Sequence, residues 1–452
     1  MLGIAGARSG GEGSPAARWA VLPIVLIAAA LVYVATQSLI GALAAVVIAA
    51  YFTGALVLGT TRLGVITLMG CFLTAPAYKG LVPGAGTVTP TDGLLVVGFA
   101  LLLPVILKGR MHLPATYLVG ATIVAISGMI ATIGSDSMLE SALGVTFWLF
   151  VMVALPIAVN MWQPSARVIR RLAWSYVAGH ILSWVVGTAL GHVVNGRYYG
   201  LTNHPNYFAE AGLMAVALLL YLFFQYDGWR ARTVVVMFGV ICSASVLMSG
   251  SRGATVVLAV LIVMIPVVER SAITGFLWAV GGAALVGLSP LLLNVVGQTA
   301  SVSRLLGGGS AAGSDQVRSQ GLQTGLQMVR EQPVFGRGLV TADLFNIHNN
   351  YLEVAVAIGI VGLIGYVVVI YSFARPLFDN HVHRRLCYTV WAYIGWGATV
   401  PALYDRSIWV PMALTAICWA RRPAGGDDAE ATAKAAEVTQ PIVPTVAVRG
   451  RD

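Results

Sequence analysis

Three short polar runs interrupt an otherwise apolar chain, and their residue types suit acid–base and anion chemistry. The run His348-Asn349-Asn350-Tyr351-Leu352-Glu353 puts an imidazole, two amides and a carboxylate at the mouth of an apolar segment carrying Gly359, Gly362 and Gly365. Polar groups at such a boundary lose hydration and gain little packing, so they are candidates for function. An imidazole there can accept a proton near neutral pH or orient a hydroxyl. Asn349 and Glu353 are four apart and share a helix face, with His348 at its N-terminal edge. The second run, Arg197-Tyr198-Tyr199-Gly200-Leu201-Thr202-Asn203-His204-Pro205-Asn206, leads into an apolar segment that carries Glu210. Pro205 suits the first turn of a helix, where its missing N–H is no loss. The free N–H groups of that turn, with Arg197 close by, would make an anion site. In the third run, Ser249-Gly250-Ser251-Arg252-Gly253, small residues would leave one guanidinium accessible for bidentate contact with phosphate oxygens.

Each run also has a plain structural reading. The first can be an interfacial histidine over a helix start, the second a capped turn with an interfacial arginine, the third a snorkelling arginine at a helix end. Glu210 lies inside an apolar segment, where an unpaired carboxylate is costly. Pairing with an arginine or contact with a substrate would each account for it.

The elements that must carry these runs are membrane helices. The 452 residues are 58% hydrophobic and only 10% charged, with a mean hydropathy of +0.83. A soluble domain is roughly half apolar and about a quarter charged. The composition predicts an all-α polytopic membrane protein of 12–14 transmembrane helices. Fourteen candidate segments lie near 19–36, 38–59, 63–82, 93–107, 113–133, 142–162, 168–194, 205–225, 231–249, 253–268, 272–296, 349–374, 385–401 and 405–420. Those at 93–107, 253–268 and 405–420 are short. The glycines at 359, 362 and 365 predict a thin ridge that lets a neighbouring helix come close.

With the N-terminus cytoplasmic, nineteen of the 27 lysines and arginines fall on the inner side. This asymmetry places both termini in the cytoplasm and all three polar runs on the exoplasmic side. The net charge of +9 is thereby topological, not a nucleic-acid footprint. Residues 1–18 read as a disordered cytoplasmic lead, 19–422 as the polytopic membrane domain, and 423–452 as a disordered cytoplasmic tail. The first apolar segment reads as a span, not as a removed signal peptide. Residues 297–348 form one long exoplasmic loop, and loops of that length are more often functional than idle. Within it, Gly307 to Gly313 reads as flexible. Val317, Leu322, Leu326 and Val329 predict a helix over 315–331, ended by Gln332-Pro333 and followed by a turn at Gly336-Arg337-Gly338.

Other chemistries find no motif. Cys71, Cys242, Cys387 and Cys418 lack metal or disulfide spacing. His112, His180, His192, His381 and His383 sit in helices or basic loops, and Asp92 and Asp136 have no partner acid. Gly307-Gly308-Gly309 precedes no Lys-Ser/Thr, so no nucleotide phosphate loop is indicated. A mechanism without metal, nucleotide or other cofactor is the expectation.

Together these residues resemble the O-antigen ligase and polymerase superfamily of bacterial membrane glycosyltransferases. The resemblance rests on His348-Asn349, nine residues, then Gly359-x-x-Gly362. Arg197 with Gly200…His204-Pro205-Asn206, Ser251-Arg252-Gly253, and Arg318…Pro333-x-x-Gly336-x-Gly338 join it in order, over about 197–366. The resemblance implies a GT-C-like membrane fold in the bacterial cytoplasmic membrane, working in cell-surface polysaccharide biosynthesis. It implies a glycan donor on undecaprenyl diphosphate and a glycan, glycolipid or protein acceptor, joined by metal-independent, inverting transfer at the outer face. Arg197 and Arg252 would stabilise the leaving phosphate, with Arg318 as a third cation, and His348 would orient or deprotonate the acceptor hydroxyl. Asn349 and Glu353 would position His348 or the sugar, and His204, Asn206 and Glu210 would complete the substrate site. Other polysaccharide-assembly proteins are expected partners. Ligase and polymerase share a donor and differ in acceptor, so both readings stay open. The rival class is a multi-span transporter or flippase. Against it, the polar groups gather at one interface and the chain shows no paired halves.

Overall fold

The computed structural model describes residues 39–81, 89–270, 304, 311–340, 344 and 347–420. The expected spans at 19–36 and 272–296, the Gly307–Gly309 run and both terminal segments lie outside the described residues. The chain divides into two compact units, Met1–Ile66 and Thr67–Asp452. In the first, the Leu39–Leu58 helix ends at Gly59, whose φ of +78° turns the chain into the next helix.

In the second unit, almost every described element is a helix. Ala115–Ile133, Met138–Trp162, Pro205–Phe223, Trp229–Met248, Arg252–Glu269 and Asn350–Phe378 are long and apolar enough to cross a membrane. Pro90–Ile106 is a shorter apolar helix, and Ala166–Ala189 runs where another span was expected. The molecule is an all-α polytopic membrane protein. Two expected spans are corrected. The segment at 385–401 holds only a ten-residue α-helix, Tyr388–Gly397, and that at 405–420 only an eight-residue one, Arg406–Ala413, each joined to a short 3-10 turn. Counted with those turns, the helical runs are 384–397 and 406–419, each shorter than the roughly 17–25 residues of a spanning helix. Both are almost wholly buried, which explains why their composition reads like a span. They pack against Pro205–Phe223, itself buried on nearly every side.

Proline leaves its mark inside Met138–Trp162. Pro156 has no N–H to give the carbonyl of Met152, and the Tyr117 hydroxyl donates to that carbonyl at 2.9 Å instead. A π-helical turn at Phe150–Ala154 adjoins it.

The glycine ridge is only partly as expected. Gly365 does meet a neighbouring helix closely: a Cβ on Gly120 would lie 2.7 Å from the Gly365 carbonyl. Gly359 does something else. The helix from Asn350 breaks at Ile358 and Gly359, where Gly359 takes φ +73° and ψ 178°. The break leaves backbone groups unpaired, and residues 333–338 fill them. Arg337 and Gly338 donate N–H bonds to the carbonyls of Val356 and Ala357, both at 2.9 Å, and Ile360 donates to Pro333 at 2.9 Å. Irregular backbone in such a segment is tolerated only where protein satisfies it, as here.

Gly359 occupies a backbone region that is essentially glycine-only, costing other residues about 1–3 kcal/mol. A Cβ there would also collide with the Val334 carbonyl. Gly359→Ala is therefore expected to lower the thermal unfolding temperature of the detergent-purified protein by several degrees. An unchanged transition would show that residues 333–338 do not need the break.

The loop helix spans Ala311–Glu331, four residues longer at its start than expected, and ends before Gln332-Pro333 as read. Its buried positions are Gly321 and Gly325, the latter against Leu352 and Ile347, whereas Val317, Leu322 and Leu326 are exposed. The apolar periodicity thus marks a helix correctly but faces outward. Glycine, having no side chain, makes the closer inward contact.

Candidate active site

Arg197 is placed by a tight hairpin. Val193–Val194 pairs antiparallel with Arg197–Tyr198, and the linking Asn195 and Gly196 both have positive φ. Asn-Gly is the preferred pair for such a turn because both positions require the left-handed region. The guanidinium then donates from Nε to the Ser249 carbonyl and from Nη2 to Asn206 Oδ1, each at 2.8 Å. The turn at Ser249 is equally built: Gly250 has φ +67°, and the Ser251 N–H donates to Ser249 Oγ at 3.1 Å. Its next carbonyl, Gly250, accepts from Arg304. One five-residue turn thus orients two arginines with its carbonyls and supplies a third, Arg252, as the first residue of its own helix.

Arg252 corrects an expectation. Its guanidinium is not open but bound two-pronged by Asp315 of the loop helix, with Nη1 to Oδ2 at 3.0 Å and a second bond from Nη2 to Oδ1. Asp315 is largely exposed, so the pair contributes little to stability. Its geometry matters more: a carboxylate holds the position that two phosphate oxygens would fit. Arg318, three residues and so just under one turn further along that helix, makes no hydrogen bond with a described residue.

The cations feel one another. Burial first, then Arg304, Arg318 and Arg252, push the Arg197 pKa down to about 10. Burial and Arg252 lower Arg318, and burial, Arg252 and Arg318 lower Arg304. Arg304 had not been singled out in the sequence. Its neighbours carry no motif, and only the structure brings it to Gly250.

Two histidines flank this cluster. His204 is the N-cap of Pro205–Phe223, its Nδ1 accepting the Asn206 N–H at 3.1 Å. That bond leaves the proton of the neutral ring on Nε2. Burial, Arg197, His348, Lys79 and Arg318 push its pKa down to about 4, so it is uncharged at neutral pH. His348 has φ +53°, an uncommon state for a residue with a side chain and one that clusters at functional sites. Its imidazole is half-exposed and makes no hydrogen bond with a described residue. Burial and Arg318 lower its pKa below the ordinary 6.5.

Arg197, Arg252, Arg318, His348, His204 and Asn206 therefore come together. The other three expected site residues differ. Asn349 caps its helix, its Oδ1 accepting from Leu352 at 3.0 Å and its amide donating to the Ala398 carbonyl at 3.3 Å. It holds the backbone beside His348, and its amide is not aimed at a substrate. Glu210 is fully buried, with Trp396 Nε1 donating to Oε2 at 2.8 Å and Ser407 Oγ to Oε1. Neither arginine pairing nor substrate contact is needed to account for it, because both carboxylate oxygens are satisfied inside the fold. Glu353 is buried beside a separate small cavity. Among the described residues no group of three His, Cys, Asp or Glu is placed to hold a metal ion.

An arginine cluster with a neutral imidazole beside it, carried at the ends of membrane helices, is an arrangement suited to binding an anion. Residues 237–367 match the family model described as O-antigen ligase, so the resemblance to the O-antigen ligase family holds over this part of the chain. The match takes in Arg252, Arg318, His348, Gly359 and Gly362, and leaves Arg197 and His204 before it. No curated protein matches the chain. An enzyme of O-antigen ligase or polymerase type, acting in polysaccharide biosynthesis at a bacterial membrane, is what the family match supports.

Proposed function

We propose that this protein transfers a glycan from undecaprenyl diphosphate to an acceptor hydroxyl on the exoplasmic side of the cytoplasmic membrane. The observation that carries the reading is the convergence of Arg197, Arg252, Arg304 and Arg318 from four separated chain segments, with Asp315 bound to Arg252. Like charges are not gathered so closely without an anion to hold, and a diphosphate is the anion a lipid-linked sugar presents. As the bond from the anomeric carbon to the phosphate oxygen breaks, the electron pair leaves with the diphosphate. Fixed guanidinium groups stabilise that developing charge.

The acceptor oxygen attacks the anomeric carbon from the opposite face, which inverts the configuration. Its proton passes to the neutral imidazole of His348, which makes no hydrogen bond with a described residue and is close enough to Arg318 to feel its charge. His204, held as its Nε2–H tautomer, donates a hydrogen bond to a phosphate or sugar oxygen. Arg252 exchanges Asp315 for phosphate when the donor enters. The ligase reading is favoured over polymerase by the His348-Asn349…Gly359-x-x-Gly362 pattern, which the sequence shares with ligases.

The test is direct. Purified protein is given a labelled undecaprenyl-diphosphate glycan with candidate acceptors, and the products are separated. Free undecaprenyl diphosphate and an enlarged acceptor are expected. Movement of intact donor across proteoliposomes without bond cleavage would instead identify a transporter.

A further inference from the structure

A second cavity, of about 200 Å3, lies beside the arginine cluster and is not explained by it. Lys79, Tyr207, Leu344, Glu353, Tyr404 and Asp405 line it. Glu353 is 2% exposed, and its Oε1 has no hydrogen-bond partner among the described residues. Buried polar atoms are nearly always satisfied, so such an acceptor asks for a donor from outside the chain. The nearby cation is already engaged: Lys79 Nζ lies 2.9 Å from each Asp405 oxygen and 3.1 Å from the centre of the Tyr207 ring. Tyr78 adds a further bond to Asp405 at 2.5 Å.

The chemistry of the lining narrows the ligand. Lys79, the cation among the described lining residues, is already held by Asp405, so the cavity offers no free cation to a phosphate, which the arginines are placed to hold. The free Glu353 oxygen can accept from a hydroxyl, and Leu344, Pro401 and Leu403 add apolar surface to the lining. The volume falls below the about 300–1,000 Å3 of pockets for drug-sized ligands, which leaves room for one ring. Its position fits as well. Tyr207 is in the same first helical turn as His204 and Asn206, and the Glu353 N–H bonds the carbonyl of Asn349, next to His348.

We propose that this cavity is a sugar-ring subsite. It takes one uncharged, hydroxyl-bearing ring, and Glu353 accepts hydrogen bonds from the hydroxyls. The ring's source, donor or acceptor glycan, rests on the glycosyl-transfer reading above; the ring chemistry does not.

Saturation-transfer NMR on the full-length protein, in a detergent without sugar headgroups, tests this. The probes are the methyl glycosides of glucose, galactose, mannose, rhamnose and N-acetylglucosamine. At least one is expected to receive saturation at its ring protons, with at least a tenfold loss in Glu353→Gln. Leu344→Trp fills the cavity from the loop side and is expected to do the same, which covers the case where Glu353→Gln folds poorly. Binding by none of the five, or equal signals in folded variants, overturns the subsite. Arg252→Ala separates the two readings: sugar binding is expected to persist there while transfer fails. If transfer instead persists in Arg252→Ala and the Glu353-dependent signal remains, the transfer mechanism falls and the subsite stands. In the transfer reaction, a raised KM for the acceptor alone in Glu353→Gln assigns the ring to the acceptor, and for the donor alone to the donor. Unchanged KM for both overturns the proposal.

Discussion

Replacing Arg252 by alanine is expected to leave a folded membrane protein and to reduce glycan transfer by about 10²–10³-fold or more, the loss typical of removing one preorganised charge-stabilising donor. The fold should survive because the bond that disappears is to an exposed carboxylate, Asp315. Arg252→Lys should fail nearly as badly. A lysine keeps the charge, but it cannot reproduce the two-pronged contact that Arg252 now makes with Asp315. Arg197→Ala should show a similar loss of transfer with some loss of stability, since it leaves the Ser249 carbonyl and Asn206 without their partner. Transfer rates and thermal unfolding of the three variants, measured side by side, separate the two effects. Wild-type rates in Arg252→Ala or Arg197→Ala would reject a role in holding the diphosphate.

For His348, loss of the imidazole in His348→Ala should remove transfer without removing donor binding, because the arginines remain. The pH dependence gives a sharper test. Only the neutral ring can accept the hydroxyl proton. Burial and Arg318 lower the His348 pKa below 6.5, so the neutral form already dominates at pH 7. Activity should therefore stay level from about pH 8 down to the ordinary imidazole value of 6.5 and decline only below it. An acid limb centred above pH 7, or an unchanged profile in His348→Ala, would exclude the imidazole as the base.

Much of this is legible in the sequence. Composition alone defines a helical membrane protein, because an apolar segment without charge has few other places to go. Arg197, Arg252, His204 and His348 stand out since each is a costly group at a helix mouth, whereas Arg318 enters only through the family resemblance. What the sequence hides is pairing across long separations. Nothing near Arg304 marks it as a neighbour of Gly250, and nothing near Lys79 marks it as the partner of Asp405. Glu210 misleads for a related reason: its partners, Trp396 and Ser407, are neutral donors nearly 200 residues away, and reasoning by charge looks for an arginine. The short helices at 388–397 and 406–413 deceive in another way, since full burial in protein and burial in lipid demand the same apolar residues. The Asn195-Gly196 hairpin goes unread for another reason: a two-residue strand pair is easily passed over between apolar spans, although Asn-Gly is a strong local turn signal.

The broken helix at Gly359 also imposes an order of events on biogenesis. Residues 333–338 are synthesised before the carbonyls of Val356 and Ala357 that receive them, so they must wait for the later helix. The loop helix that carries Arg318 and Asp315 is joined directly to that waiting segment. His348, in turn, sits between it and the helix that completes it. The placement of Arg318 beside His348 is consequently completed late, once the helix from Asn350 is made and receives residues 333–338.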